Sequence, residues 1–409
     1  MAAIEFLIIG VTIVMGFLAD KMFHKTKISA VIILIAFGFL LGPVFGLLDV
    51  SEESVIKSIL PFIASIALIF LLFDGGFEFD IFRVAREIPK SMLFTFLVFI
   101  LGTAFISGFI VISLGWGIMS GALLGAVVGG SSGAVVISLM EKTKFRKETK
   151  SLVTVESTLT DALVIITAVI IIQLITEVAG NFTIGTIAGL FLSSFSNAIV
   201  LGILAGMIWI IFSNKFEMAN YSYMLMLALL FGLFAVTEEV GGSGGIAVFT
   251  FGIVLGNAKK MAKFAKLESI NPVSRTSKLF QEEVTFFIRT FFFVYVGLLM
   301  SISFFTIDVF LISIGIIMLV LIARWAITRL LLPELPGNDK HIVIAMMPRG
   351  LAAAVVATLP IRSGIVLDNF QEYVFTVILL TNIIATIGIF LFDRNGENGE
   401  KEKHHKEIK

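Results

Sequence analysis

Apolar stretches about twenty residues long recur along almost the whole of this 409-residue chain, with little polar sequence between them. A window of that length matches a helix crossing a hydrocarbon core about 30 Å thick. Read this way, the sequence predicts thirteen spans, at 2–22, 28–48, 58–79, 91–113, 117–140, 150–174, 183–212, 219–238, 242–258, 279–300, 305–330, 340–362 and 369–393. Mean hydropathy is +1.04 and 58% of residues are hydrophobic, more apolar surface than a soluble chain of this length can hide. Several connections are short, so the helices must pack as one bundle, and the fold class is all-α and polytopic. Residues 1–393 form the transmembrane unit. Residues 394–409 are charged, lack an apolar face and read as a disordered cytoplasmic tail. The adjacent His404 and His405 there read as solvated rather than as metal ligands.

The zero formal net charge and the lack of a basic stripe argue against a nucleic-acid partner. The absence of cysteine excludes disulfide and thiolate chemistry. Glu5 stands where a secretory signal would carry positive charge, so Ala2–Leu18 reads as a retained first span. Orientation follows from the cations. One side would hold Lys21, Lys25, Lys27, Arg83, Arg86, Lys90, Lys142, Lys144, Arg146, Lys147, Lys150, Lys215, Lys259, Lys260, Lys263, Lys266, Arg275, Lys278, Arg329 and Lys340, with the cations of the tail. The other would hold only Lys57 and Arg362. That asymmetry puts the basic side in the cytoplasm, and an odd number of spans puts the N-terminus outside and the C-terminus inside.

The polar groups inside the spans are few. Val155–Ala162 opens an otherwise apolar helix and carries Asp161 about eleven residues in, roughly 16 Å from the cytoplasmic end. A charged residue at that depth costs roughly 2.5–3.5 kcal/mol on insertion scales. Two readings are open: a structural polar contact between helices, or a site for an ion or proton. Glu156 lies about six residues from the cytoplasmic end of its span and Arg324 about six from that of the eleventh. Opposite charges at matched depth would stabilise each other, the alternative being that Arg324 snorkels to the interface.

Two spans carry signs of breakage. The fifth has Gly121, Gly125, Gly129 and Gly133 in register, ending in Gly129-Gly130-Ser131-Ser132-Gly133. Small residues on one face allow close helix contact, and the polar run suggests a helix that unwinds mid-membrane to offer oxygens to an ion. The twelfth has Met347-Pro348-Arg349-Gly350, where a buried cation coincides with two helix breakers. Gly133-Ala134-Val135-Val136 echoes Ala353-Ala354-Val355-Val356 seven helices later, the weak trace of an inverted repeat.

These residues resemble the cation/proton antiporters of the electroneutral sodium/proton exchanger type, archaeal and bacterial sodium/proton antiporters included, over nearly the whole chain. That family's Glu-Ser-x-x-Asn-Asp pattern is matched by Glu156-Ser157-Thr158-Leu159-Thr160-Asp161 at every position but Thr160. Its arginine in an Ile-Ala-Arg context matches Ile322-Ala323-Arg324, and its later Arg-Gly matches Arg349-Gly350. Leu72-Phe73-Asp74-Gly75-Gly76 resembles a segment of bacterial members. Thr237-Glu238-Glu239-Val240 with Ser243-Gly244 resembles an outer-vestibule segment, which makes Glu239 a candidate.

The resemblance implies a thirteen-helix inverted-repeat fold with two crossed, discontinuous helices. It implies that Asp161 alternately holds a proton or a monovalent cation, with Ser157 and Thr160 as further cation ligands and Ser131 and Ser132 at the same site. Glu156 and Arg324 would form a structural ion pair, and Arg349, Arg289 and Glu239 would be further functional groups in the membrane. It implies a homodimer in the cell membrane, working by motion of a core domain against a fixed dimerisation domain, with no cofactor. The chain departs from the family where Ser131-Ser132-Gly133 replaces Thr-Asp-Pro, where Thr160 replaces Asn, and where Arg289 resembles a lysine of electrogenic relatives. The expected activity is electroneutral exchange of one Na+ for one H+, with K+/H+ exchange as the alternative and Li+ a further candidate. Two other classes compete. Gly241-Gly242-Ser243-Gly244 fits a GxSG nucleophile pattern, which would make an intramembrane protease, but catalysis needs a base in reach, and His24, His341, His404 and His405 all lie at interfaces or in the tail. A passive channel would carry cations without proton coupling.

Overall fold

A computed structural model describes residues 2–26, 28–47, 65–67, 69–70, 72–77, 89–141, 143–177, 184–215, 222–259, 275–300 and 306–406. The regular structure among these residues is all helical, with no strand. The helices are α1 (Ala2–Thr26), α2 (Ala30–Phe39), α3 (Pro89–Leu114), α4 (Ile118–Gly129), α5 (Gly133–Glu141), α6 (Lys147–Glu177), α7 (Ile184–Lys215) and α8 (Ser222–Glu239). There follow α9 (Gly244–Gly256), α10 (Arg275–Leu299), α11 (Ile307–Leu331), α12 (Gly337–Ala345), α13 (Leu351–Val356), α14 (Leu359–Arg362) and α15 (Phe370–Lys406). The last helix thus runs into the charged tail as far as Lys406. Helix is the expected state for an apolar chain in hydrocarbon, because every backbone N–H and C=O then pairs within its own segment.

Five described helical segments are long and apolar enough to cross a membrane: Lys90–Leu114, Lys147–Thr176, Phe195–Ser213, Ile307–Leu331 and Phe370–Asp393. Others are shorter for a visible reason. The windows at 117–140 and 340–362 are each interrupted, giving α4–α5 and α12–α13–α14 instead of single rods. Half of the 58–79 window lies outside the described residues, as do Lys27, Lys57, Arg83, Arg86, Lys142, Lys260, Lys263 and Lys266. Side chains such as Leu7, 65% exposed, and Ile112, 87% exposed, present apolar surface outwards, which suits a lipid environment.

The helices pack as two groups. In the first, α1, α2 and α10 lie together and α9 packs on α7 and α8. Gly38 of α2 has no room for a Cβ, which would overlap the Val294 carbonyl of α10. Residues 72–77 join these subgroups: a Cβ on Gly252 of α9 would lie 2.5 Å from Phe73 O, while Asp74 accepts from Gln281 Nε2 (2.9 Å) and Thr285 Oγ1 (3.2 Å) of α10. The second group holds α3, α4, α5, α6, α11, α12, α13 and α15. The glycine run of the fifth window sets α4 against α3, with Gly121 facing Ser107 O and Gly125 facing Thr103 O, while Gly133 faces Asp161. The Gly202–Gly206 pair of α7 is packed as closely, against Ala247 and Val254 of α9. The main bridges between the groups run from α2 to α15, α10 to α13 and α6 to α7.

Candidate ion-binding site

The two helix breaks touch. α4 stops at Gly129 because Gly130 is extended (φ −91°, ψ 157°), and a Cβ there would lie 2.9 Å from Thr160 O and closer still to Val164. α12 stops at Ala345, before Pro348. Proline lacks the N–H the helix needs and biases the preceding residue towards extended backbone. Ser132 N donates to Pro348 O at 2.7 Å, and a Cβ on Gly350 would overlap the side chain of Ser132. The second break therefore crosses the first.

Breaking two helices leaves carbonyls at two C-termini without intrahelical partners, and an arginine meets each. Arg349 Nε donates to Val128 O, in the last turn of α4, at 2.6 Å, and its Nη1 donates to Met347 O at 2.8 Å. Arg324 Nη2 donates to Val343 O (2.5 Å) and Met346 O (3.0 Å), and its Nε to Val343 O (3.1 Å) and Ile344 O (3.2 Å), at the end of α12. Cations at these ends also match the negative pole of the helix dipole. Both arginines are 1% exposed.

Arg324 makes a second set of bonds. Its Nη1 and Nη2 meet the two carboxylate oxygens of Glu156, the Nη2–Oε2 contact being 2.9 Å, and its guanidinium lies 5.9 Å from the Phe94 ring centroid. Glu156 Oε1 also accepts from Ser131 Oγ at 3.2 Å. The matched depths of Glu156 and Arg324 therefore correspond to a bidentate buried pair. It joins α6, α11, the end of α12 and the first break.

One turn along α6, Thr160 Oγ1 accepts from Ser131 N (3.0 Å) and donates within reach of Ser131 O and Ser157 O, each 3.2 Å away. Ser157 Oγ donates to Thr154 O at 3.0 Å. Asp161 faces the other way. Its Oδ2 accepts from Gly133 N, the first residue of α5, at 2.7 Å. A helix N-terminus offers N–H donors and positive dipole to an anion, so the carboxylate is held at the point where α5 resumes.

Asp161 lines a cavity of about 310 Å³ between the two helix groups. The second group contributes Asp161, Ser132, Thr158 and Gly350, and the first contributes Asp20, Ser29, Asp74, Thr285 and Arg289. Of the hydroxyls expected as cation ligands, Ser132 lines this cavity; Ser131 and Thr160 are bonded to each other at the first break, and Ser157 bonds within α6 to Thr154 O. Arg289 shares the cavity with Asp20 and Asp74 rather than with Thr160. Glu239 is exposed at the end of α8 and outside the cavity lining, while its neighbour Glu238 accepts from Gly244 N at 2.7 Å. Ser243 of the GxSG run is the N-cap of α9, accepting from Ile246 N at 3.5 Å.

Several contributors escaped sequence reading. Thr158 and Asp20 lie on cavity-facing positions that no motif marked. Thr381 Oγ1 accepts from Arg349 N at 3.2 Å and Asn382 Nδ2 donates to Arg349 O at 2.8 Å. The signal available was the Thr381-Asn382 pair, two polar residues in the apolar window 369–393.

A family model described as "Sodium/hydrogen exchanger, transmembrane" matches residues 9–392. The "Probable Na(+)/H(+) antiporter 2" of Methanocaldococcus jannaschii is 26% identical over 361 residues, covering 84% of this chain and 81% of that protein. The "K(+)/H(+) antiporter NhaP2" of Shewanella sp. strain ANA-3 is 25% identical over 336 residues and 79% of this chain, which spans 55% of that protein's length. The structure of the sodium proton antiporter MjNhaP1 from Methanocaldococcus jannaschii aligns with a TM-score of 0.72 at 22% identity, over 95% of this chain and 94% of that one. At that identity the likeness is one of fold.

Proposed function

This chain belongs to the sodium/hydrogen exchanger family, and from that premise we propose that it exchanges a monovalent cation for a proton across the membrane. Na+ is the expected cation. Asp161 is the group that holds either H+ or the cation, Ser132 and Thr158 line the same cavity, and Ser131 and Thr160 keep the broken backbone in place. The observation that carries this reading is the position of Asp161. It is the carboxylate at the crossing of two interrupted helices, on the wall of a cavity between two separately packed bodies. A hard cation needs oxygen ligands, and the crossing supplies a carboxylate, hydroxyls and backbone carbonyls. One carboxylate serving both ions makes the cycle electroneutral.

Motion of the second helix group against the first would carry Asp161 from one membrane face to the other, with the buried ion pair and the two arginine-capped ends travelling as one piece. The thirteen spans, the inverted repeat, the homodimer and the orientation with a cytoplasmic C-terminus belong to this reading. The basic residues Lys21, Lys25, Lys144, Arg146 and Lys147 follow closely in the chain on Asp20 and Ser138, which line the cavity, and this supports reading the cavity as open to the cytoplasm.

K+/H+ exchange is kept as a second reading because a K+/H+ antiporter is among the relatives. Purified protein in liposomes carrying a pH-sensitive dye and an imposed pH gradient separates the two. Addition of Na+ is expected to move protons more strongly than K+, with Li+ as a third arm. Asp161→Asn is expected to abolish the response while remaining folded by size exclusion. Cation-driven proton movement at the wild-type rate in that variant would overturn the assignment of Asp161.

A further inference from the structure

A buried hydrogen bond joins the two helix groups. Ser29 Oγ donates to Asn382 Oδ1 at 2.7 Å, linking the start of α2 in the first group to α15 in the second. Both side chains are buried, Ser29 1% and Asn382 0% exposed. Ser29 occupies the N-cap of α2, where a serine ordinarily accepts a bond from a backbone N–H of its own first turn. It makes no such cap and reaches across the boundary instead.

The amide it meets is fully oriented. Asn382 Nδ2 donates to Ile378 O and to Arg349 O, both at 2.8 Å. Turning the amide over would set its oxygen against two carbonyls, so Oδ1 is the atom left for a hydroxyl donor. The connection therefore runs from α2 through Asn382 to the carbonyl of Arg349, the residue before Gly350 at the helix crossing. Ser29 also lines the cavity that Asp161 lines.

We propose that Ser29 and Asn382 form a latch between the two bodies, favouring the arrangement described here over the alternate one. The inference rests on the two-body reading above. When α15 moves away from α2, the Ser29 hydroxyl loses its acceptor and can turn to its own helix, accepting from the first-turn N–H groups. The two partners are unequal: the bond to Asn382 satisfies an acceptor buried away from water, and leaving that acceptor unpaired costs more than the N-cap of α2 returns. Exchange of partners therefore tilts the equilibrium between arrangements without locking it, which a transporter that must visit both requires. Asn382 acts by position, through Arg349 and α2, and touches no transported ion.

The chain has no cysteine, so two introduced ones report alone. Leu7→Cys on α1 and Ile112→Cys on α3 are outward-facing sites on the two groups. Spin labels at these positions, measured by pulsed electron resonance in nanodiscs with labelled chains diluted by unlabelled ones, give the populations of the two arrangements. Ser29→Ala is expected to raise the ratio of the alternate to the described distance about two- to tenfold, the excess of the buried bond over the cap. Ser29→Thr, which keeps the hydroxyl, should restore the wild-type ratio. If Ser29→Ala proves unstable, Ser29→Gly removes the hydroxyl while remaining an acceptable N-cap, and the same rise is expected. Two distances with an unchanged ratio in a folded variant overturn the latch alone. A single distance in every variant, at every pH and cation concentration, overturns the two-body reading and the latch with it.

Discussion

Glu156 and Arg324 show how one pair of residues serves both the stability and the chemistry of the site. Two ions removed from water lose several kcal/mol each, and their attraction offsets this only when the geometry is good and the remaining lone pairs and protons are satisfied. Here the pairing is bidentate, Ser131 adds a donor to Glu156, and the spare protons of Arg324 go to the exposed carbonyls ending α12. Removing either partner strands a buried charge, at a cost of about 3–5 kcal/mol. Glu156→Gln and Arg324→Met are each expected to lower the thermal midpoint in detergent, and the double variant should lose less than the sum of the two. Strict additivity would show that the residues are energetically independent. The pair was legible in the sequence because both charges sit at the same depth in their windows. The capping of α12 by Arg324 and of α4 by Arg349 was not, since a cation's backbone partners depend on where distant helices end. Asp161 was legible from its cost in hydrocarbon; Asp20, Asp74 and Thr158 were not, because nothing in their local sequence says which helix face meets the cavity.

Interruption of two helices is what turns a bundle into a site. The polar run Gly130-Ser131-Ser132 and the Met347-Pro348-Arg349-Gly350 run stand out from their apolar surroundings, so both breaks could be read from residue types alone. What hydropathy could not supply is that the breaks meet. The crossing depends on Ser132 N bonding Pro348 O and on Gly350 lying against Ser132, contacts between residues more than 200 positions apart. The same limit applies to the short helices: windows counted as single spans at 117–140 and 340–362 contain an end and a new beginning. The close approach makes a prediction. A methyl group on Gly350 would overlap the Ser132 side chain, and overpacking of this kind costs about 1–3 kcal/mol. Gly350→Ala is expected to lower the thermal midpoint and slow cation-driven proton movement. Ser132→Gly in the same chain relieves the overlap and should recover stability, although it removes a cavity hydroxyl and so need not recover transport. A Gly350→Ala protein as stable and active as wild type would mean that the two breaks are not in contact in the working molecule.

At the scale of the whole molecule, the question is how much charge crosses the membrane in one cycle. The family resemblance implies a core moving against a fixed domain, but the sequence supplies thirteen windows and no neighbours, so which helices form each body, and the cavity between them, emerge only in three dimensions. That cavity bears on stoichiometry. Asp161 is the carboxylate at the helix crossing; Glu156 is occupied by Arg324 and Ser131, and Thr160 and Ser132 are neutral. Arginine keeps its proton at any working pH, so Arg324 and Arg349 supply no exchangeable charge. A single carboxylate carrying either H+ or a monovalent cation moves no net charge. Two further carboxylates, Asp20 and Asp74, line the same cavity beside Arg289, but both belong to the first helix group, and Asp74 is held there by Gln281 and Thr285 of α10. Groups on the body that stays still do not travel with the ion, so their protonation should affect access to the site rather than the charge moved. Exchange is therefore expected to be insensitive to voltage. With Na+-loaded proteoliposomes, valinomycin and graded K+ concentrations set the membrane potential while proton movement is followed, in a K+-insensitive regime established by the cation comparison. The rate and the reversal point should stay constant across that range. A reversal point that moves with potential would mean that a second proton is carried, and loss of that shift in Asp74→Asn but not in Asp20→Asn would place it on Asp74, making residues 72–77 part of the moving body.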